Sequence, residues 1–442
     1  MAESTQKKRR SWREALAVYL TPRQLIILVM GFASGLPLLL TLTTLSYWLS
    51  TAKVDKTTIG LFLFVGTPYT YKFLWSPVMD RVGLPVLSGW LGQRRSWLLI
   101  VQLLLAVSVF LMGQTDPVSN GTLTALAAVA VAFFSASQDI VIDAYRIELL
   151  SPEEQGAGAG TTQVGYRLGM ILAGAGATAM SDYVSWAAVY ALMAGAVVVC
   201  AVITLFLPEP KHPTRNRAPK GYAEFLEEAV VAPLMDFIRR DGWWIILAFI
   251  LLYKYGEAFG GAMANPFYHE MGFSGTEIAI VSKVYGVIAT LVGGLFGGFL
   301  VARLGLFRTL ILGGILQAVT ILMLSALAWR QSAGATHGEL LQWLMAAITL
   351  ENITSGVAAA AFVAYLSDLC NTAYTATQYA LFSSLMAFGR TILSAGSGWL
   401  IDHLNNNWTL FWAITVVMAV PGLLLLLWIN RLYPDEKRLV PA

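Results

Sequence analysis

The sequence predicts an all-α integral membrane protein, with twelve transmembrane helices in two pseudo-symmetric bundles of six. Three observations predict it. The 442 residues are 57% hydrophobic and only 12% charged, about half the charge that wets a soluble surface. Twelve stretches are long and apolar enough to cross a bilayer. Two short patterns recur at a near-constant offset along the chain. A string of soluble domains is therefore excluded, and a net charge of +3 excludes the positive stripe of a nucleic-acid binder.

The chain opens with a basic tail, 1–23, that lacks a short apolar core with a small-residue cleavage site. It reads as a retained cytoplasmic tail rather than a signal peptide. Helices 1 to 12 are expected at 24–49, 57–79, 96–113, 122–145, 156–180, 185–207, 243–264, 275–300, 308–329, 340–366, 375–400 and 408–430. They divide into an N-terminal bundle (24–207) and a C-terminal bundle (243–430), with a short tail at 431–442. The linker 208–242 is polar and proline-rich at its start, and 222–240 has the pattern of an interfacial amphipathic helix. Twenty-one of the 29 Lys and Arg fall on the side of both termini and the linker, and three on the other. That bias places both termini in the cytoplasm.

The halves resemble each other. Residues 80–83 read DRVG and 302–305 read ARLG, an offset of 222. Gln155 and Arg167 are 12 apart, as are Gln378 and Arg390, at an offset of 223. Duplicated six-helix halves are the plan of the major facilitator superfamily, whose substrates bind near the midplane between halves. Its loop motif between helices 2 and 3 is resembled by Asp80, Arg81, Gly83, Gly92, Arg94 and Arg95, with LPVLSGWL inserted before GQRR. Asp80, Arg81, Arg94 and Arg95 are the expected gating residues. Helix 5 carries Gly156, Gly158, Gly160, Gly165 and Gly169, and helix 8 carries Gly286, Gly293, Gly294, Gly297 and Gly298. Small residues four apart allow close helix packing, along a seam on which the halves would pivot.

Nine charged residues fall inside spans, where each costs about 2.5–3.5 kcal/mol to insert. They are Lys72, Asp139, Asp143, Arg167, Lys254, Glu257, Lys283, Glu351 and Arg390. Lipid offers them no partner, so they must face one another or a watery path. Asp139 and Asp143 share a face of helix 4 and disfavour double ionisation, which makes them candidate proton carriers. Alternatively, Asp143 pairs with Lys72 or a loop arginine and only holds the cytoplasmic end shut. Lys254 and Glu257 form either a static salt bridge or a switch in which protonation frees the lysine for an anion. Glu351 has no basic neighbour within a turn, so its partner is expected from another helix, a proton or the substrate.

Lys72, Arg167, Lys254, Lys283 and Arg390 are candidates for anionic substrate groups, arginine through two parallel hydrogen bonds. Gln138 and the tyrosines Tyr71, Tyr166 and Tyr255, beside the buried charges, are candidate sugar contacts. Cys200 and Cys370 read as packing residues. The four histidines lie in loops or at helix ends, and no phosphate loop, HExxH or Cys/His cluster occurs. No metal, cofactor or catalytic constellation is expected, and the chain does not read as an enzyme. Sequons at Asn120, Asn352 and Asn407 carry little weight, since Asn352 lies inside a span.

Several segments carry a closer resemblance. GFASGLPLLLTLTTLSYWL (31–49), TIGLFLFVGTPYTYKFLWSPVMDRV (58–82), SASQDIVIDAYRIELLSPEEQGAGAG (135–160), GYRLGM (165–170), YKYGEAF (253–259) and ATQYALFSSLMAFGR (376–390) resemble the AmpG muropeptide permeases of Gram-negative bacteria. The resemblance implies a proton-coupled inner-membrane importer of N-acetylglucosaminyl-1,6-anhydro-N-acetylmuramic acid, with or without a stem peptide. It would serve peptidoglycan recycling and β-lactamase induction. Partners would be this substrate, protons and membrane lipid, without nucleic acid, and the carrier would act as a monomer. Some members continue for two more hydrophobic segments where this chain ends at RLYPDEKRLVPA, and the twelve-helix core is still expected to transport. The alternative reading is a carrier of another anionic metabolite, such as an acyl-CoA.

Overall fold

The structure is a computed structural model and describes residues 17–54, 62–210 and 227–432. All regular elements among the described residues are helical. Nine of the spans are long enough and apolar enough to cross a membrane among these residues, namely helices 1, 3, 4, 6, 7, 8, 9, 10 and 12. Loops at the end away from the linker are closed by side-chain caps. Asn120 caps helix 4 (Gly121–Leu149), and Ser185 caps helix 6 (Trp186–Thr204). Thr336 with Glu339 forms a capping box on helix 10 (His337–Asp368). Each cap satisfies an N–H that the first turn leaves without an intrahelical acceptor.

Helices 2, 5 and 11 depart from the smooth spans expected. Helix 2 runs as Phe62–Gly66, Thr67–Tyr71, Lys72–Leu74 and Ser76–Arg81, two of these pieces having proline as their second residue. Helix 11 is Thr375–Ile392, Leu393–Gly396 and Ser397–His403, and helix 5 passes from Gln155–Ile171 through a wide turn at Leu172–Gly176 to Ala177–Met180. These three pack across the boundary between the halves. Helix 11 lies on helices 2 and 4, and helix 5 on helix 8 (Gly286–Leu304) and helix 10. Interrupted backbone at membrane depth is tolerated where protein or a water-filled path satisfies it, not against lipid. Helix 7 is also interrupted, running Trp243–Leu252 and then Tyr255–Ala262, with Lys254 at the break.

The apolar cores follow the halves. Leu36, Leu105, Val109, Val131 and Tyr190 centre one, and Phe249, Phe307, Phe362, Phe382 and Leu426 another. One crosses the boundary, for Ala376 and Ala380 of helix 11 pack with Ile140, Val141 and Tyr145 of helix 4. Most of the N-terminal tail, 211–226 of the linker and 433–442 of the C-tail lie outside the described residues. What is described of the expected amphipathic helix is a wide turn at Glu227–Val231 followed by Ala232–Ile238.

Candidate functional site

The halves are tied at the end that holds the linker. Asp80, closing helix 2, reaches the first turn of helix 11. Its Oδ2 accepts from the Thr377 N–H (2.8 Å) and hydroxyl (2.9 Å), and its Oδ1 from the Ala376 N–H (3.3 Å). A helix N-terminus presents unpaired N–H groups and partial positive charge, so a carboxylate is well placed there. Arg94, 1% exposed, joins this contact to helix 4. Its Nη2 lies 2.6 Å from Asp80 Oδ1, 2.7 Å from Glu148 Oε1 and 3.0 Å from Thr375 Oγ1. Thr375 Oγ1 also donates to Glu148. Arg146 donates to Ser367 Oγ (3.0 Å) and stands 5.5 Å over the Tyr379 ring, and Arg81 stands 4.7 Å over Tyr374.

Two further ties complete this end. The Tyr19 hydroxyl donates to the Leu295 carbonyl of helix 8 (2.7 Å). Beside it helices 5 and 8 meet backbone to backbone. A Cβ on Gly160 would stand 2.6 Å from the Gly294 carbonyl oxygen, and one on Gly298 2.5 Å from that of Gly156. Only glycine allows this approach. Behind helix 11 the linker segment Ala232–Ile238 is clamped through Asp236. That carboxylate accepts from Gln378 (2.8 Å), Arg240 (2.8 Å) and Asn371 (3.0 Å). Burial pushes the Asp236 carboxyl up, but these three donors outweigh it and hold it below the usual carboxylate range.

Farther along helices 2 and 4, the N-terminal half gathers its interior charges. Asp139 accepts from Ser34 of helix 1 at 2.5 Å. Lys72 Nζ lies 3.9 Å from Asp143, and Arg146 Nη2 lies 3.8 Å from the other Asp143 oxygen. Asp143 thus has both a lysine and an arginine beside it, while Asp139 has the hydroxyl of Ser34. On helix 5, Arg167 Nε is buried without a hydrogen-bond partner among the described residues. Gln138, expected at the substrate, is instead fully buried at the crossing of helices 1 and 4, donating to the Ala33 carbonyl at 2.8 Å.

In the C-terminal half Lys254 is paired with Glu257 one turn away. Ser355 of helix 10 donates to Glu257 Oε1 at 2.6 Å, and Gln317 of helix 9 (Leu306–Ser332) lies 3.4 Å from Lys254 Nζ. Glu351 lies within electrostatic reach of both Lys254 and Glu257. Its charged neighbours come from helix 7, and its hydrogen-bond donor is the neutral Asn352 Nδ2 of its own helix at 3.0 Å. Two carboxylates thus share one ammonium among the described residues. The side chains of Lys283 and Arg390 lie outside those residues.

Of the expected gating residues, Asp80, Arg94 and Arg81 cross to the other half. Arg95 does not, for it donates to the Thr204 and Leu205 carbonyls that end helix 6. Tyr71 is 50% exposed, and Tyr255 packs edge-on against Phe259. Sequence reasoning missed Glu148, Thr375, Thr377, Ser34, Gln317 and Ser355. Glu148 was visible as an unassigned acid at the end of helix 4. Uncharged Ser and Thr carry no such signal.

Comparison with known proteins matches this architecture. The Major Facilitator Superfamily profile matches residues 25–256 and 255–442. The anhydromuropeptide permease of Escherichia coli (strain K12) is 43% identical over 414 residues, 93% of this chain and 80% of that protein. A Rickettsia felis protein described as transporter AmpG 4 is 34% identical over 92% of this chain and 96% of its own. Among solved structures, the transporter FucP in the outward conformation superposes with a TM-score of 0.69 at 12% identity, covering 93% of this chain and 99% of its own. The proton:xylose symporter XylE does so with 0.66 at 13% identity, covering 95% and 96%. The chain belongs to the major facilitator superfamily and, within it, to the family of the anhydromuropeptide permeases.

Proposed function

We propose that this chain imports anhydromuropeptides across the bacterial inner membrane by alternating access, driven by the proton gradient. The substrate is N-acetylglucosaminyl-1,6-anhydro-N-acetylmuramic acid, with or without a stem peptide. The observation that carries the reading is the 43% identity to the Escherichia coli permease across 93% of the chain. Two charged clusters, one in each half, fit such a cargo. Arg167, with its unpartnered Nε, and Lys72, 3.9 Å from its nearest carboxylate, are cations able to take up an anionic group. Lys283 and Arg390 are proposed for the same role, and Tyr71, Tyr166 and Tyr255 for the sugar rings.

The excess of Lys and Arg makes the tied end cytoplasmic. The carrier then faces the periplasm, with its two six-helix halves and the linker 208–242 closing the inner side. Substrate enters between the halves, and a proton reaches Glu351. Neutralising Glu351 removes its repulsion with Glu257, so the C-terminal half closes around the cargo. Asp139 is the second proton carrier proposed. Opening of the ties around Asp80 and Arg94 then releases cargo and proton inward, from a carrier acting as a monomer. A reading as an enzyme gains no support from relatives that are named permeases and transporters.

The test is uptake of labelled disaccharide into proteoliposomes, with and without an inward proton gradient. Gradient-dependent accumulation is expected. Absence of uptake by folded, correctly oriented protein would reject the substrate, and accumulation indifferent to the gradient would reject the coupling.

A further inference from the structure

Asn352 opens a sequon, Asn352-Ile353-Thr354, that no glycosylation can use inside a span, and neither family nor charge draws attention to it. Its surroundings do. Nδ2 faces two acceptors, Glu351 Oε2 at 3.0 Å and the Ile348 carbonyl at 2.8 Å. The amide orientation is therefore settled, because the reverse would set an oxygen against two oxygens. Oδ1 then faces helix 8, where the Thr290 hydroxyl lies at 2.8 Å. Thr290 has one proton and two acceptors in reach, Asn352 Oδ1 and the Gly286 carbonyl, both at 2.8 Å. Asn352 thus joins a carboxylate on helix 10 to the Thr290 hydroxyl of helix 8, two helices that pack closely along their length.

We infer that Asn352 is the positioning residue of Glu351, holding its carboxylate in place and favouring its charged form from the helix 8 side. The inference rests on the proposed role of Glu351 as a proton carrier. An N–H donated to a carboxylate is stronger than one donated to the neutral acid, so this bond eases proton release. Other groups around Glu351 act on the same balance. Helix 7 presents Lys254 and Glu257, and the short helix that follows it, Ala264–Glu270, presents Tyr268. The interior of helix 9 has no ionisable residue, and the side chains of Lys283 on helix 8 and Arg390 on helix 11 lie outside the described residues. Asn352 is the one neutral donor bonded to Glu351 among the described residues.

The test is the pH profile of gradient-driven disaccharide uptake in proteoliposomes, for wild type, Asn352→Leu and Thr290→Val. Leucine leaves Thr290 its second acceptor, so no helix 8 group is orphaned. Without the donor Glu351 keeps its proton to higher pH, and the alkaline limb of the profile moves up by about one pH unit. Thr290→Val moves it the same way by less. A folded Asn352→Leu carrier with the wild-type limb overturns the inference. If Asn352→Leu does not fold, Thr290→Val decides, an upward shift supporting the inference and an unmoved limb overturning it. Glu351→Gln separates the two readings. Retained gradient-driven accumulation in that variant removes the proton role, and the inference with it. Its loss, together with unmoved profiles in the other two, removes only the positioning role.

Discussion

The carboxylate of Asp80, at the end of helix 2, accepts both the backbone N–H (2.8 Å) and the hydroxyl (2.9 Å) of Thr377, in the first turn of helix 11. One side chain of the N-terminal half thus caps a helix of the C-terminal half. A hydrogen bond to a charged group contributes about 1.5–3 kcal/mol, so Asp80→Asn shifts the balance between the closed and open states of this end at least about tenfold. Cys370, half-buried beside this contact, reports it. Its labelling by a thiol reagent, read by mass spectrometry, is expected to rise in Asp80→Asn, while buried Cys200 stays unlabelled.

Gly160 and Gly294 test the seam between helices 5 and 8. A Cβ on Gly160 meets the Gly294 carbonyl oxygen at 2.6 Å, and backbone cannot give way as a side chain can. Gly160→Val is expected to cost about 1–3 kcal/mol of the closed state. It should lower Tm in detergent and raise Cys370 labelling, with Gly160→Ala intermediate in both.

Glu351→Gln removes a titrating group while keeping its size. Accumulation against a gradient is expected to be lost. Counterflow of labelled for unlabelled substrate, which needs no net proton movement, is expected to persist. Accumulation at the wild-type level would assign the coupling elsewhere.

Arg167→Gln removes a cation whose Nε has no partner among the described residues. Loss of a charged hydrogen bond to the substrate is expected to raise KM by about tenfold to a hundredfold. Tm should hardly change, since Arg167 makes no ion pair among the described residues. A large fall in Tm with unchanged KM would make the residue structural.

Asp236 supplies a dependence on pH. Its carboxyl is pulled below the usual range by Gln378, Asn371 and Arg240 against the opposing effect of burial. A depressed folded value stabilises the fold above the unfolded value, and that contribution is lost as pH falls through the folded one. Asp236→Asn should therefore have a lower Tm than wild type at neutral pH, with the gap closing under acid. A gap independent of pH would mean that shape, not charge, holds the linker.

Much of this was legible because the bilayer makes charge costly and period visible. Asp80 and Arg94 stood out in the loop motif, and Lys254 with Glu257 by spacing alone. The repeat also held its meaning. Gln155 bonds the Ile147 and Leu150 carbonyls before helix 5, and Gln378 accepts from the Asn371 N–H before helix 11. What stayed hidden were partners distant in sequence. Arg94 meets Glu148 across 54 residues and Thr375 across 281, and no local pattern marks such pairs. Gln138 donates to the Ala33 carbonyl while its neighbour Asp139 accepts from Ser34, and sequence adjacency hides such a difference because one step along a helix turns a side chain by about 100°.

The end that holds the linker is tied by dehydrated ions as well as by apolar packing, and this bears on how readily it can open. Arg94, Asp80 and Glu148 are almost wholly dehydrated when the halves meet, with side-chain exposures of 1%, 3% and 2%. Dehydrating such groups offsets most of their mutual attraction. When the halves part, water restores what the pairing supplied, so closed and open differ by little even though each contact is strong. An apolar plug of the same area would lack that compensation and would hold the carrier shut. A seal that exchanges protein partners for water suits a molecule that must break and remake it in every cycle.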